Sequence, residues 1–145
     1  MEKWKLFAFA AALFAGVTSV LAKAGLRDLS ADLGLAVRTL FVCGFVLLHF
    51  ALFSGESAPI ESLRKAGPRA IMLLAISAFT TSLSWIFYYR AVKDGSVSFV
   101  AIADKGSVLI TILLSVVVLR EALSGRLLIG AALVISGLLV LATAK

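Results

Sequence analysis

The sequence predicts an all-α membrane protein, a bundle of five transmembrane helices in a single domain over residues 1–145. Composition and patterning carry that expectation. The chain is 61% hydrophobic and 15% charged, against about 45–50% apolar and about 25% charged in a soluble domain. Its mean hydropathy is +1.08. A soluble fold of this length leaves about a third of its unfolded surface in water, too much for so apolar a chain to tolerate. The apolar residues fall in five runs, each close to the roughly 17–25 residues that a helix needs to cross a bilayer, and short charged connections separate them. Membrane strands are shorter and alternate apolar with polar, whereas these runs are near-continuous Leu, Ala, Val, Ile and Phe.

The first run covers residues 4–22. Lys3 and Lys5 before it and Leu21-Ala22-Lys23-Ala24 after it resemble a secretory signal. The run is longer than a signal's apolar region and four more follow, so it is read as a span. Its small residues Ala8, Ala12 and Gly16, and Ala11, Ala15 and Ser19, have the spacing that lets helices approach closely. The second run, 35–53, follows Gly34 as a junction and carries Arg38 about one turn inside. Cys43 is the single cysteine, which excludes an internal disulfide and reads as a small packing residue. His49, the single histidine, is read as packed or capped.

The longest connection, residues 54–69, holds both prolines. Its Ile60, Leu63 and Ala66 would share one face of a short interfacial helix; an irregular polar loop fits equally well. The third run, 70–89, carries a polar stripe of Ser77, Thr81, Ser84 and Tyr88 on one helix face. Tyr89, like Trp4, is expected to anchor at the membrane interface, while Trp85 sits one turn deeper as a candidate pocket wall. Asp94-Gly95-Ser96 is a tight turn with Ser96 as the next N-cap. The fourth run, 97–119, bears a second stripe of Asp104, Ser107, Thr111 and Ser115. Packing alone accounts for either stripe, since hydroxyls bond their own helix or glue helices together. The fifth run, 126–143, follows Gly125 and is the preferred dimer element, with Gly130, Ala132, Ser136 and Gly137.

Charges outside the spans inform topology, and Arg38, near the end of its span, is counted with them. The net charge is +6, but no basic cluster exceeds two adjacent residues, so juxtamembrane anchoring explains it better than nucleic-acid binding. An odd number of spans puts the termini on opposite sides. Lys3, Lys5, Arg64, Lys65, Arg69, Arg120 and Arg126 then share the N-terminal side, 7 in all. Lys23, Arg27, Arg38, Arg90, Lys93 and Lys145 share the other, 6 in all. Cytoplasmic loops normally hold a clear excess. Near balance fits insertion in both orientations and an antiparallel pair of identical chains, the inverted symmetry that many transporters carry within one chain.

Charged groups inside a span are costly and mark pathways or sites. Arg38, Asp104 and Lys105 are the three here. At about 1.5 Å per residue, Asp104 and Lys105 lie roughly 10–12 Å into the fourth run, and as helix neighbours they are expected to face different partners. Arg38 and Lys105 are read as holding the negative part of a substrate. The alternative makes Asp104 a counter-ion for Arg38 and lets Lys105 snorkel outward. Asp104, Ser107, Thr81, Trp85 and Tyr88 complete the candidate substrate-binding set. No Gly-rich phosphate loop, paired histidines or nucleophile with a base is present, so no enzyme activity, cofactor or metal site is expected.

Several segments, in order, resemble one family. They are Phe14-Ala15 and Ala22-Lys23-Ala24-Gly25-Leu26; Ala36-Val37-Arg38-Thr39; Trp85-Ile86-Phe87-Tyr88-Tyr89-Arg90-Ala91; Asp104-Lys105-Gly106-Ser107 with Leu119-Arg120-Glu121; and Gly130, Leu133, Val134 and Gly137. Together they are similar to the EamA family of the drug/metabolite transporter superfamily, in its short five-helix form, and the likeness runs end to end. It implies a polytopic inner (plasma) membrane transporter that is half of an inverted-repeat ten-helix assembly, completed as an antiparallel homodimer in the lipid bilayer. The superfamily's smallest multidrug members use a carboxylate inside the first helix to couple protons to cation export. The first span here has none, since Glu2 is terminal, so the expected small-molecule substrate is an anionic or zwitterionic metabolite. The competing expectation is a non-transporting or lipid-handling, flippase-like membrane subunit. Glu121 is expected to serve as an ion-pair or cap partner.

Overall fold

A computed structural model of the chain describes residues 3–143. Glu2, set aside as terminal, and Lys145, counted among the basic flanks, lie outside the described residues. Among those residues the fold is helical without strands: α1 Lys3–Gly25, α2 Ala31–Phe53, α3 Pro59–Asp94, α4 Val97–Asp104, α5 Ser107–Leu119 and α6 Gly125–Thr143. It is an all-α membrane protein. Lys3–Gly25, Ala31–Phe53, Pro59–Asp94 and Val97–Leu119 are each long and apolar enough to cross a bilayer. The apolar part of the last helix, Gly125–Leu141, lies at the short end of that range.

The helices outrun the apolar runs because polar flanks continue the backbone ladder past the hydrocarbon. Gly34 does not mark a junction. Ser30 is the N-cap of α2, its Oγ accepting from the Leu33 amide at 3.2 Å, which places Gly34 in the first turn. There a Cβ would collide with the Leu26 side chain, and Leu26 is 2% exposed and has little room to move.

The connection before the third span is a helix over 59–66, with Ile60 and Leu63 exposed. The helical alternative is therefore the one adopted. Gly67, at φ 79 and ψ 169, breaks it, a conformation that costs glycine least, and Pro68 opens the spanning part. Ser96 caps α4 as expected, accepting from the Phe99 amide at 3.2 Å. Arg120 ends α5 at φ 55, and the Glu121 amide reaches the Ser115 carbonyl at 3.2 Å. Glu121 thus serves the helix end through its backbone. Ser124 starts α6, accepting from Leu127 N–H.

Two compact units divide the chain: Ala22–Lys93, and the segments before and after it. In the first, reciprocal lysines tie the end of α1 to the end of α3. Lys23 Nζ donates to the Val92 and Lys93 carbonyls, both at 2.7 Å. Lys93 Nζ donates back to the carbonyls of Leu26 at 2.6 Å and Arg27 at 3.2 Å. The Lys23 ammonium satisfies carbonyls of the last turn of α3, at its negative dipole end, and the Lys93 ammonium those of the turn that follows α1. Leu26, Tyr89 and Val92 are buried around this join. In the second unit α4 packs on α6 and Val100 is buried. Cys43, expected as a small packing residue, is exposed within this chain as a free thiol on α2.

Gly34→Ala is expected to destabilise the protein by about 1–3 kcal/mol through overpacking against Leu26, read as a lower thermal midpoint in detergent by circular dichroism. Gly44→Ala, with nothing within 4 Å of the added Cβ, is expected to leave it unchanged.

Candidate functional site

The structure brings four of the sequence-derived site residues into the unit formed by Ala22–Lys93: Arg38 on α2, and Thr81, Trp85 and Tyr88 on α3. The Arg38 guanidinium carbon lies 4.4 Å from the centre of the Trp85 ring and 5.9 Å from that of Tyr89. A cation over an aromatic face is attracted by the ring quadrupole, by about 0.5–2 kcal/mol according to desolvation. The rings hold the plane of the guanidinium but accept none of its N–H groups in hydrogen bonds. Its Nη1 is buried and has no hydrogen-bond partner. A buried charged donor left unpaired costs more than the usual 1–3 kcal/mol or so for a neutral one, so this nitrogen is the strongest ligand signal in the unit.

Tyr89 was expected at the interface as an anchor. It is 5% exposed and packs beside Arg38, because its position, four residues after Trp85, returns it to the same face of α3. The ring of Tyr88 lies 6.4 Å from that of Tyr89, and Tyr88 is half-buried. The spacing of Trp85 and Tyr89 was the signal that could have found the second ring. Trp4, on α1, is exposed, with Lys5 Nζ 5.2 Å over its ring. Thr81 is exposed, and its hydroxyl donates to the Ser77 carbonyl at 2.8 Å. Ser77–Thr81 is a helix-internal pairing of the kind hydroxyls make in apolar helices, and Thr111 does the same with the Ser107 carbonyl at 3.0 Å. His49, expected to be packed or capped, is exposed, its ring tilted against that of Phe53 at 5.4 Å.

Nearer the end of the same helix pair, Asp32 meets Arg90. The contact is two-pronged, Nε to Oδ1 at 3.1 Å and Nη2 to Oδ2 at 3.2 Å. Asp32 also lies in the first turn of α2, where the helix dipole favours a carboxylate.

Asp104, Lys105 and Ser107 belong to the other unit. The fourth span is broken there, between α4 and α5. The amides of Lys105, Gly106, Val108 and Leu109 bond to the carbonyls of Ile102, Ala103, Lys105 and Gly106, at 2.9–3.1 Å. All four bonds reach back three residues, the tighter 3₁₀ pattern, which in mid-helix often marks a hinge. Gly106 permits it: a Cβ there would sit 3.0 Å from the Ala103 carbonyl oxygen and 3.6 Å from Leu138 on α6.

Asp104 and Lys105 do not face different partners. Lys105 Nζ lies 3.4 Å from Asp104 Oδ2. The unbroken-helix geometry behind the original expectation does not hold at the break, and the flexible lysine stem brings the ammonium back to its neighbour. The contact is long and the pair exposed, so it is a weak one.

The model of the EamA-like transporter family matches residues 2–143. An uncharacterized transporter in the cobO 3' region of Sinorhizobium sp. is 30% identical over 141 residues, which cover 97% of either chain. No solved structure matches the chain.

Proposed function

The chain belongs to the EamA-like transporter family, within the drug/metabolite transporter superfamily, and from that premise we propose that it exports a small anionic or zwitterionic metabolite across the inner (plasma) membrane. The family and the transporter-named relative make it a multi-pass membrane transporter in contact with lipid, and they point away from an enzyme. One observation carries the finer reading: the buried, unpartnered Nη1 of Arg38 against the Trp85 ring. A carboxylate, phosphate or sulfonate supplies the missing acceptor, and a charge-assisted bond to Arg is both stronger and more directional than a neutral one. Trp85 and Tyr88 then line the position the anion occupies, with Thr81 one turn away from Trp85 on α3. In the other unit, Lys105 at the broken fourth span offers a second cation, with Asp104 orienting it and Ser107 opening α5.

Transport is by alternating access, in which one half rocks against the other. Five spans supply one half, and a second copy inserted in the opposite sense supplies the other. The near-equal basic flanks, 7 against 6, support this because they leave the positive-inside preference almost without a direction.

Comparing metabolites inside and outside expressing and deleted cells identifies the substrate. With that compound, Arg38→Gln is expected to reduce transport about 10- to 100-fold, the equivalent of losing one hydrogen bond to a charged group at about 1.5–3 kcal/mol. Arg38→Lys keeps the charge but not the planar donor and is expected to fall between. Lys105→Met is expected to abolish transport while the helical spectrum is unchanged; full activity in either the Gln or the Met variant removes that cation from the site. Reporter fusions after Lys145 should be active on both sides of the membrane. Signal on one side only would eliminate the antiparallel homodimer.

A further inference from the structure

The charge of Arg38 is available to a ligand only if the nearest carboxylate on its own helix is held elsewhere. Asp32 lies six residues before Arg38 on α2, about 9 Å along the axis at 1.5 Å per residue. The Asp32 side chain is 66% exposed, so an attraction over that distance counts only where lipid rather than water surrounds it. Asp32 is instead engaged on the neighbouring helix by Arg90, through both of its carboxylate oxygens. Tyr89, adjacent to Arg90, and Trp85 flank Arg38. One antiparallel helix pair therefore carries two layers: an outer one in which a carboxylate and a guanidinium neutralise each other, and an inner one in which a guanidinium has no counter-charge.

We propose that Arg90 is a positioning residue for the anion site: by holding Asp32 it keeps the charge of Arg38 uncompensated and open to the substrate. The proposal rests on the reading of Arg38 as an anion-binding group and adds the device that keeps it empty between transport cycles. Arg90 touches no substrate. Its two-pronged contact suits the task because the planar fork fixes both oxygens of the carboxylate, which a lysine ammonium at the same place does not. Loss of Arg90 frees Asp32 to turn toward Arg38, and a carboxylate of the protein then competes with the substrate's.

The test needs no knowledge of the substrate. The chain has two tryptophans, so Trp4→Phe leaves Trp85 as the sole indole, beside Arg38. Iodide quenches its emission in proportion to local anion concentration, and neutral acrylamide reports access alone. The ratio of the two quenching constants thus measures the uncompensated positive charge at Trp85. In the Trp4→Phe background, Arg38→Gln is expected to lower the ratio severalfold. Arg90→Ala is expected to lower it nearly as far, and adding Asp32→Ala to Arg90→Ala to restore it. Circular dichroism in the same detergent checks that each variant is folded, and Arg90→Gln replaces Arg90→Ala if the latter is not. An unchanged ratio in Arg38→Gln overturns the anion-site reading itself. A lowered ratio in Arg38→Gln, with either no effect of Arg90 removal or no rescue by Asp32→Ala, overturns the role of Arg90 alone.

Discussion

A helix leaves its last carbonyls without intrahelical donors, and where those carbonyls are packed away from water the donors must come from elsewhere in the protein. That constraint shapes the unit formed by Ala22–Lys93. Lys23 closes the carbonyl end of α3 and Lys93 the turn that follows α1, and the join is packed with Leu26, Tyr89 and Val92. Gly34 lets Leu26 into the gap against α2. The same lysines that a topology tally treats as flanking charges are thereby consumed within the join. Since the join fixes where α3 stands relative to the turn leading into α2, it also sets which residues of α3 face Arg38.

Against that background of satisfied groups, an unsatisfied one is informative. The Arg38 Nη1 has aromatic rings for company and no acceptor, while the nearby Arg90 has a carboxylate with both oxygens engaged. The contrast between two arginines on one helix pair separates a charge paired within the protein from one whose Nη1 has no acceptor. In the other unit the corresponding feature is a break. Gly106 lets the fourth span tighten into 3₁₀ turns beside the Asp104–Lys105 pair, and broken helices are where transporters of inverted-repeat construction place their binding groups. Membership of the EamA-like family gives both features a common context.

Much of the fold was legible because hydrophobic length is a direct physical signal. A run near 20 residues with few charges has one stable form in a bilayer, and all five runs are helical over most of their predicted lengths. Ser96 was legible as a cap for an equally local reason. The failures share a cause as well. Gly34 read as a junction, Tyr89 as an anchor, and Asp104 and Lys105 as facing apart, since each inference used only neighbours along the chain. Leu26 against Gly34 and Tyr89 against Arg38 are contacts between different helices. The pairing of Asp104 with Lys105 accompanies a loss of regular helix around Gly106 that the apolar pattern does not announce.

By itself, then, the sequence determined the solvent, the apolar helical runs and the short list of charges within them, because these depend on transfer energies that add along the chain. Only the tertiary structure decided which charges are spent. Arg38 and Arg90 are the same residue type, each beside aromatic residues of one motif or within it, and nothing local separates them. The packing of α2 against α3 does so, by giving Asp32 to one and two rings to the other. A pairing in space has no counterpart in linear order.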